Sequence, residues 1–216
     1  MVIQKRGQIQ KKGSGVFSDA GDHDNVEAEP RHRPTVRLRD PQPTTENRVA
    51  WSTEEWFYEG CRLSDCLEAE AAVEAFRMAM MSLGHAIRAG NLTEDPHPAE
   101  ISFHLADALY HCGKTEAAIE RYHSAVEHDP HYLEAWIQLG CLLSEQGDPT
   151  RAIDAFRIAL DVHADYPDAN LHIANTYEEL GELDSAREHW SRYLEFDSRG
   201  PWADHARNRL RKYDDS

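Results

Sequence analysis

Four sets of residues recur at a step of 34 along the second half of this chain: Ala118, Ala152 and Ala186; Leu109, Leu143 and Tyr177; Gly113, Gly147 and Gly181; Tyr122, Phe156 and Trp190. A step of this size marks a solenoid, in which one supersecondary unit is repeated and stacked. A unit that short cannot bury both of its faces, so its apolar side chains are covered only by its neighbours. Fold class follows from the step before any single residue is considered.

The unit is a pair of helices. Gly113, Gly147 and Gly181 stand where a first helix must end, since glycine takes the left-handed conformation that closes a helix. Asp148-Pro149 restarts the chain with a cap residue and a first-turn proline. Ser52-Thr53-Glu54-Glu55 has the form of a capping box just before the apolar run Trp56-Phe57-Tyr58. The pattern predicts helices over 53–66 and 69–89, 99–112 and 115–128, 133–146 and 149–162, 167–180 and 183–196, then a single helix over 201–213. Small residues at Gly60, Ala106, Gly140 and Ala174, and at Ala72, Ala118, Ala152 and Ala186, let the helices of a pair approach, with aromatic side chains filling the space between them.

These residues resemble the tetratricopeptide repeat family. The unit from Pro98 to Tyr132 places Leu105, Ala106, Leu109, Gly113, Ala118, Tyr122, Ala125 and Pro130 as that family does. The next has Trp136, Leu139, Gly140, Leu143, Gly147, Ala152, Phe156 and Ala159. The unit over 167–200 keeps Ala174, Tyr177, Gly181, Ala186 and Trp190, but has Tyr193 where a small residue is usual and Ser198 where proline is usual. An earlier unit, 53–86, carries Trp56, Gly60, Leu63, Ala72, Phe76 and Ala79, and precedes its successor by 46 residues instead of 34. The apolar spacing from Met80 to Ala89 assigns the insertion to extra turns on a second helix, followed by a loop through Pro96 and Pro98. The resemblance implies an all-α, right-handed α-solenoid over residues 51–216. Its four helix-turn-helix repeats would span 53–86, 99–132, 133–166 and 167–200, followed by a capping helix over 201–214.

The ends are read from the faces a further neighbour would meet. In the last helix those positions hold Asp204, Arg207, Asn208 and Arg211, while Ala203, Ala206 and Leu210 form the opposite, apolar face. At the other end Glu55, Tyr58 and Arg62 stand where the next unit has Ile101, His104 and Ala108. Four repeats plus a cap are expected, not a fragment of a longer array. Residues 1–50 contain Pro30, Pro34, Pro41 and Pro43 and no apolar periodicity, so they cannot offset their ordering entropy and are expected to form a disordered tail.

In this family the first helices line a concave groove that receives extended or helical peptides of partner proteins. Carried over by position, the first repeat would contribute Glu54, Phe57, Cys61, Ser64 and Asp65, and the second Glu100, Phe103, Asp107, Tyr110 and His111. The third would add Glu134, Ile137, Cys141, Ser144 and Glu145, and the fourth Asp168, Leu171, Asn175, Glu178 and Glu179. The cap would supply Trp202, His205, Arg209, Lys212 and Tyr213. Members that clamp the acidic tail of heat-shock chaperones use Lys, Arg and Asn at such positions, because a carboxylate needs donors, and only Asn175 matches in kind. The expected ligand is the opposite: a protein or peptide whose Lys or Arg meets the acids and whose apolar side chains cover Phe57, Phe103, Ile137 and Leu171. The competing reading makes the acids a solvated face and the apolar stripe repeat-to-repeat packing.

Charge points the same way. The chain has 23 Lys and Arg against 39 Asp and Glu, for a net charge of -16, and residues 1–50 hold nine of the basic and seven of the acidic residues. The repeats are the acidic part, so no direct contact with nucleic acid is expected. No signal-peptide core and no membrane-length apolar run occurs, and Cys61, Cys66, Cys112 and Cys141 include no Cys-x-x-Cys pair, which predicts the cytoplasm. The thirteen histidines lack metal-binding spacing, and neither a phosphate loop nor a nucleophile elbow is present. No metal, cofactor or catalytic residue is therefore assigned, and the expected function is a noncatalytic scaffold or adaptor. A second reading comes from bacterial proteins in which such arrays follow a MerR-type winged helix-turn-helix domain. The residues around Trp56 and Pro201-Trp202-Ala203 resemble those fusions, and regulation would then act through a separate DNA-binding partner.

Overall fold

The computed structural model describes residues 51–91 and 95–214, with side chains through residue 212. The expected tail, 1–50, lies outside the described residues. Every regular element among them is a helix: α1 (Thr53–Asp65), α2 (Ala69–Arg88), α3 (Pro98–His111), α4 (Thr115–His128), α5 (Leu133–Glu145), α6 (Pro149–Val162), α7 (Pro167–Leu180), α8 (Leu183–Phe196) and α9 (Pro201–Asp214). Each odd helix packs on the even helix after it, and each even helix on the next odd one, so the core runs as one band through an all-α solenoid. The first helices also touch directly at α1·α3 and α5·α7.

Local chemistry starts and stops these helices. The Ser52 hydroxyl accepts from the Glu55 N–H at 3.2 Å, and the Glu55 carboxylate accepts from the Ser52 N–H at 3.0 Å, completing the capping box of α1. The turns inside the helix pairs share one closure: the N–H of Glu68, Lys114, Asp148 and Glu182 donates to the carbonyl of Leu63, Leu109, Leu143 and Tyr177, each at 2.9 Å. In three of these turns a glycine takes the required positive φ, and in the first turn Leu67 takes it instead, at 61°.

Close approach within a pair depends on the small residues. A Cβ on Gly60 would stand 2.5 Å from the Phe76 ring, and one on Gly140 would stand 2.4 Å from Phe156, so neither site admits even a methyl group without displacing the aromatic. Helix α2 runs 20 residues against 14 in α4, α6 and α8. Its added turns bury Leu83 and bring the Ser82 hydroxyl to 3.2 Å from that of Thr53, while Met81 and Ile87 stay exposed. On α9, Ala203 and Ala206 are fully buried, while Asp204, Asn208 and Arg211 face solvent.

Candidate functional site

The first turns of α1, α3, α5 and α7 carry Glu54, Glu100, Glu134 and Asp168 at one equivalent position. A carboxylate there complements the helix dipole, and Glu70, Glu116 and Asp184 do the same on second helices. What the repeat adds is a shared face. The Tyr166 hydroxyl is pushed up to about 12 by burial and by the charges of Asp168 and Glu134, so acids from adjacent repeats converge on one ring. Burial, Glu145 and Asp168 likewise push the Cys141 thiol up to about 12. Asp168 itself is held above the usual carboxylate range by burial and then by Asp197. Among the described residues no cation pairs with Glu134 or Asp168.

Other acids of this face already have partners. Asp107 accepts a short hydrogen bond from the Tyr122 hydroxyl, and burial raises its carboxyl to about 6. Glu145 accepts from the Tyr110 hydroxyl at 3.1 Å, linking α3 to α5. Glu178 forms an ion pair at 2.9 Å with Arg209 of α9. Asp65, His111 and Glu179 are exposed near the helix ends, Glu100 is half-buried, and Asn175 is partly buried beside them in sequence register. On α9 the His205 ring meets the buried Trp190 at 5.3 Å, and Trp202 is exposed. The Tyr213 side chain lies outside those described.

The apolar stripe is corrected by the structure. Phe57, Ile137 and Leu171 are 3%, 6% and 2% exposed, and belong to the core instead of a ligand surface. Phe57 shows the reason: its ring is covered by Phe76 of its own repeat and by His104 of the next, at 5.9 and 5.5 Å. Only Phe103 remains half-exposed, packed on Tyr132 at 5.0 Å and on Tyr122 at 5.7 Å. The accessible part of the face is therefore mainly carboxylates, with Phe103, Tyr110, His111, Asn175 and Trp202 exposed in whole or in part among them.

Comparison with known proteins decides the family. Profiles of the tetratricopeptide repeat match residues 99–140 and 137–201. The chain is a tetratricopeptide repeat protein. No curated protein matches its sequence. Among solved structures, it resembles MamA with a TM-score of 0.60 at 21% identity, covering 68% of this chain and 78% of that one. A tetratricopeptide repeat protein from Parabacteroides merdae gives 0.65 at 18% identity, covering 76% and 60%. The first TPR of Spaghetti (RPAP3), bound to the HSP90 peptide SRMEEVD, gives 0.51 at 20%, covering 56% and 94%. At these identities the likeness concerns the fold.

This tetratricopeptide repeat protein also holds a pairing that sequence reading missed. The Cys141 sulfur lies 3.6 and 3.7 Å from the two ring nitrogens of His172, which stacks on Phe156 at 5.2 Å. Burial pushes the imidazole down to about 4 and the thiol up to about 12, so both partners are neutral near pH 7. A nucleophile or metal ligand needs the thiolate, and this environment opposes it. No group of three or more His, Cys, Asp and Glu gathers as a metal cage among the described residues, and no described helix is long and apolar enough to cross a membrane. The two residues lie 31 apart, close to the repeat step, which is the one signal that would have placed them together.

Proposed function

We propose that this protein–protein interaction scaffold binds a basic segment of a partner protein along the face formed by its first helices. The observation that carries the reading is the convergence of Glu134, Asp168 and Asp197 around Tyr166 and Asp168 without a described cation on the first two. Like charges brought together raise the cost of ionising one another, and an incoming Lys or Arg relieves it. The Spaghetti neighbour holds a peptide containing Glu-Glu-Val-Asp. Here the accessible face carries acids, which selects the opposite ligand charge. Apolar contacts from the ligand fall on Phe103, the tyrosine edges and Trp202 of the cap, because the other three stripe residues are core. The role is noncatalytic, consistent with a Cys141–His172 pair held neutral.

The test is selection from a random decapeptide library on the full chain. Enrichment of Lys and Arg that disappears in Glu134→Lys/Asp168→Lys, with helicity retained, supports the reading. Enrichment of acidic peptides, or of basic peptides by both proteins alike, overturns it.

A further inference from the structure

The seams between successive units are not closed alike. Where repeat two meets repeat one, His104 of α3 stacks on the Phe76 ring of α2 at 5.8 Å and 17°, and also covers Phe57. Where repeat four meets repeat three, His172 of α7 stacks in the same way on Phe156 of α6, at 5.2 Å and 13°. The cap closes on repeat four through Ala206, which is small enough to be fully buried. The middle seam, between α4 and α5, has neither device: Gln138 stands 34 residues from each of the two histidines and is exposed. The consequence shows one position away. Phe57, Ile137 and Leu171 are buried, whereas Phe103, their counterpart in the repeat before Gln138, is half-exposed. The direct packing of first helices at α1·α3 and α5·α7 is also not matched between α3 and α5.

The polar bonds that span this seam lie at the surface. The Tyr110 hydroxyl of α3 donates to the Glu145 carboxylate of α5 at 3.1 Å, joining first helices. The Arg151 guanidinium of α6 lies 3.3 Å from the His123 ring of α4, joining second helices. Exposed bonds of this kind contribute little, because water replaces either partner. The core still runs through the seam, and Phe103 packs across it on Tyr132, the residue before α5, at 5.0 Å, so the two sides stay joined. In a solenoid each unit holds only its neighbours, so bending concentrates where the hold between neighbours is weakest. Rotation about the middle seam strains the tie between first helices while it slackens the tie between second helices, or the reverse.

We infer that the solenoid is two rigid halves, α1–α4 and α5–α9, hinged at the α4–α5 seam, so that the face of the first helices widens and narrows at Phe103 around a bound segment. The Tyr110–Glu145 bond holds the first-helix side closed. The hinge goes beyond the basic-segment reading and does not depend on the charge of the ligand.

The experiment places pairs of spin labels on the full chain at Glu74, Glu120, Asp154 and Glu188, equivalent exposed positions of the four second helices. The labels are attached through introduced ketone side chains, which leaves the native cysteines untouched. Each neighbouring pair spans one seam, and electron paramagnetic resonance reads the spread of its separation. The spread for 120–154 should be about twice that for 74–120 or 154–188, as expected of motion confined to one hinge. Gln138→His, which supplies the ring that the outer seams have, should bring it down to theirs. Tyr110→Phe, which frees the first-helix side, should shorten the mean 120–154 separation. Circular dichroism checks that each variant stays helical. If Gln138→His does not fold, His104→Gln gives the first seam the glutamine of the middle one and should broaden 74–120 instead. Equal spreads at the three seams, or the greatest spread at an outer one, overturn the hinge. A folded Gln138→His chain that keeps the broad spread overturns the open seam as its cause. Loss of basic-peptide selection sinks the earlier reading alone.

Discussion

Repeats one and three are built differently from repeats two and four, although all obey the same spacing. The odd repeats place Gly60 and Gly140 under Phe76 and Phe156, follow each glycine with a cysteine, and stack the phenyl ring on a histidine of the next repeat, His104 or His172. The even repeats place Ala106 and Ala174 beside Tyr122 and Trp190, follow each alanine with Asp107 or Asn175, and have Gln138 and Ala206 at the histidine position. A phenyl ring asks nothing polar of its surroundings, so it can lie flat on a glycine backbone beside a thiol. Tyr and Trp bring a polar tip that needs a partner. Tyr122 finds one in Asp107, whereas the buried Trp190 indole N–H has no hydrogen-bond partner among the described residues. One repeated pattern thus admits two packing solutions, one with neutral buried imidazoles and one with a polar aromatic.

Acid is the strongest probe of that difference. His104 and His172 are both pushed down to about 4 by burial, from an ordinary value of 6.5. Asp65 acts on His104 in the opposite sense and more weakly. The unfolded chain therefore binds more protons between those values, and stability falls as pH drops through this window, by up to about 3 kcal/mol per histidine. Asp107 works against this. Its carboxyl is raised to about 6 in the folded state, so the native protein gains protons first and stability rises as pH falls from there toward 4. Urea unfolding across that range should show a net loss, flattened by His104→Gln/His172→Gln and steepened by Asp107→Asn. An unchanged acid limb in the double histidine variant would remove the odd interfaces as its source.

The glycines give the next largest effect. Gly140→Ala should destabilise by about 1–3 kcal/mol, because the clash with Phe156 exceeds the gain in helix propensity of about 1 kcal/mol. Phe156→Leu in the same chain should recover part of the loss. Ala106→Gly loses about 1 kcal/mol from propensity alone, and Tyr122→Leu should add to that loss instead of relieving it. Rescue in both repeats, or in neither, would mean that the two packings are equivalent.

Within the even repeats, Tyr122→Phe leaves the Asp107 carboxylate without its donor. The expected loss near neutral pH is about 1.5–3 kcal/mol, the range for a hydrogen bond to a charged group. The tyrosine bond lowers the Asp107 carboxyl, so its removal raises that group further, and the penalty should shrink below pH 6, where the acid is neutral. A penalty independent of pH would assign the loss to packing.

Much of this architecture was visible in the residues. Glycine at 113, 147 and 181, the capping box at Ser52 and prolines 149 and 201 mark helix ends because each acts through local backbone chemistry. The polar face of α9 was legible for the same reason: a period of 3.6 separates Asp204 and Asn208 from Ala203 and Ala206. The face was harder to read. A groove position fixes which way a side chain starts, but Phe57, Ile137 and Leu171 are long enough to reach the seam between repeats, where burial holds them. The Cys141–His172 contact and the Glu178–Arg209 pair join different repeats, and their formation depends on how far two helices stand apart. A period reports which positions correspond, not that distance.

The first intrapair turn offers the smallest and cleanest test. Its Glu68–Leu63 hydrogen bond matches the closures of the other three turns, yet Leu67 holds the left-handed backbone with its side chain 90% exposed. A left-handed conformation costs a non-glycine residue roughly 1–2 kcal/mol, partly offset by the greater entropy glycine has in the unfolded chain. Leu67→Gly should therefore stabilise by about 0.5–1 kcal/mol, a gain that thermal unfolding resolves as a rise in Tm of a few degrees. The mirror substitution, Gly147→Leu, should lose about the same amount, because both turns have open space where the side chain would go. If Leu67→Gly destabilises the chain instead, the exposed leucine contributes a contact in solution that its place in the turn does not reveal.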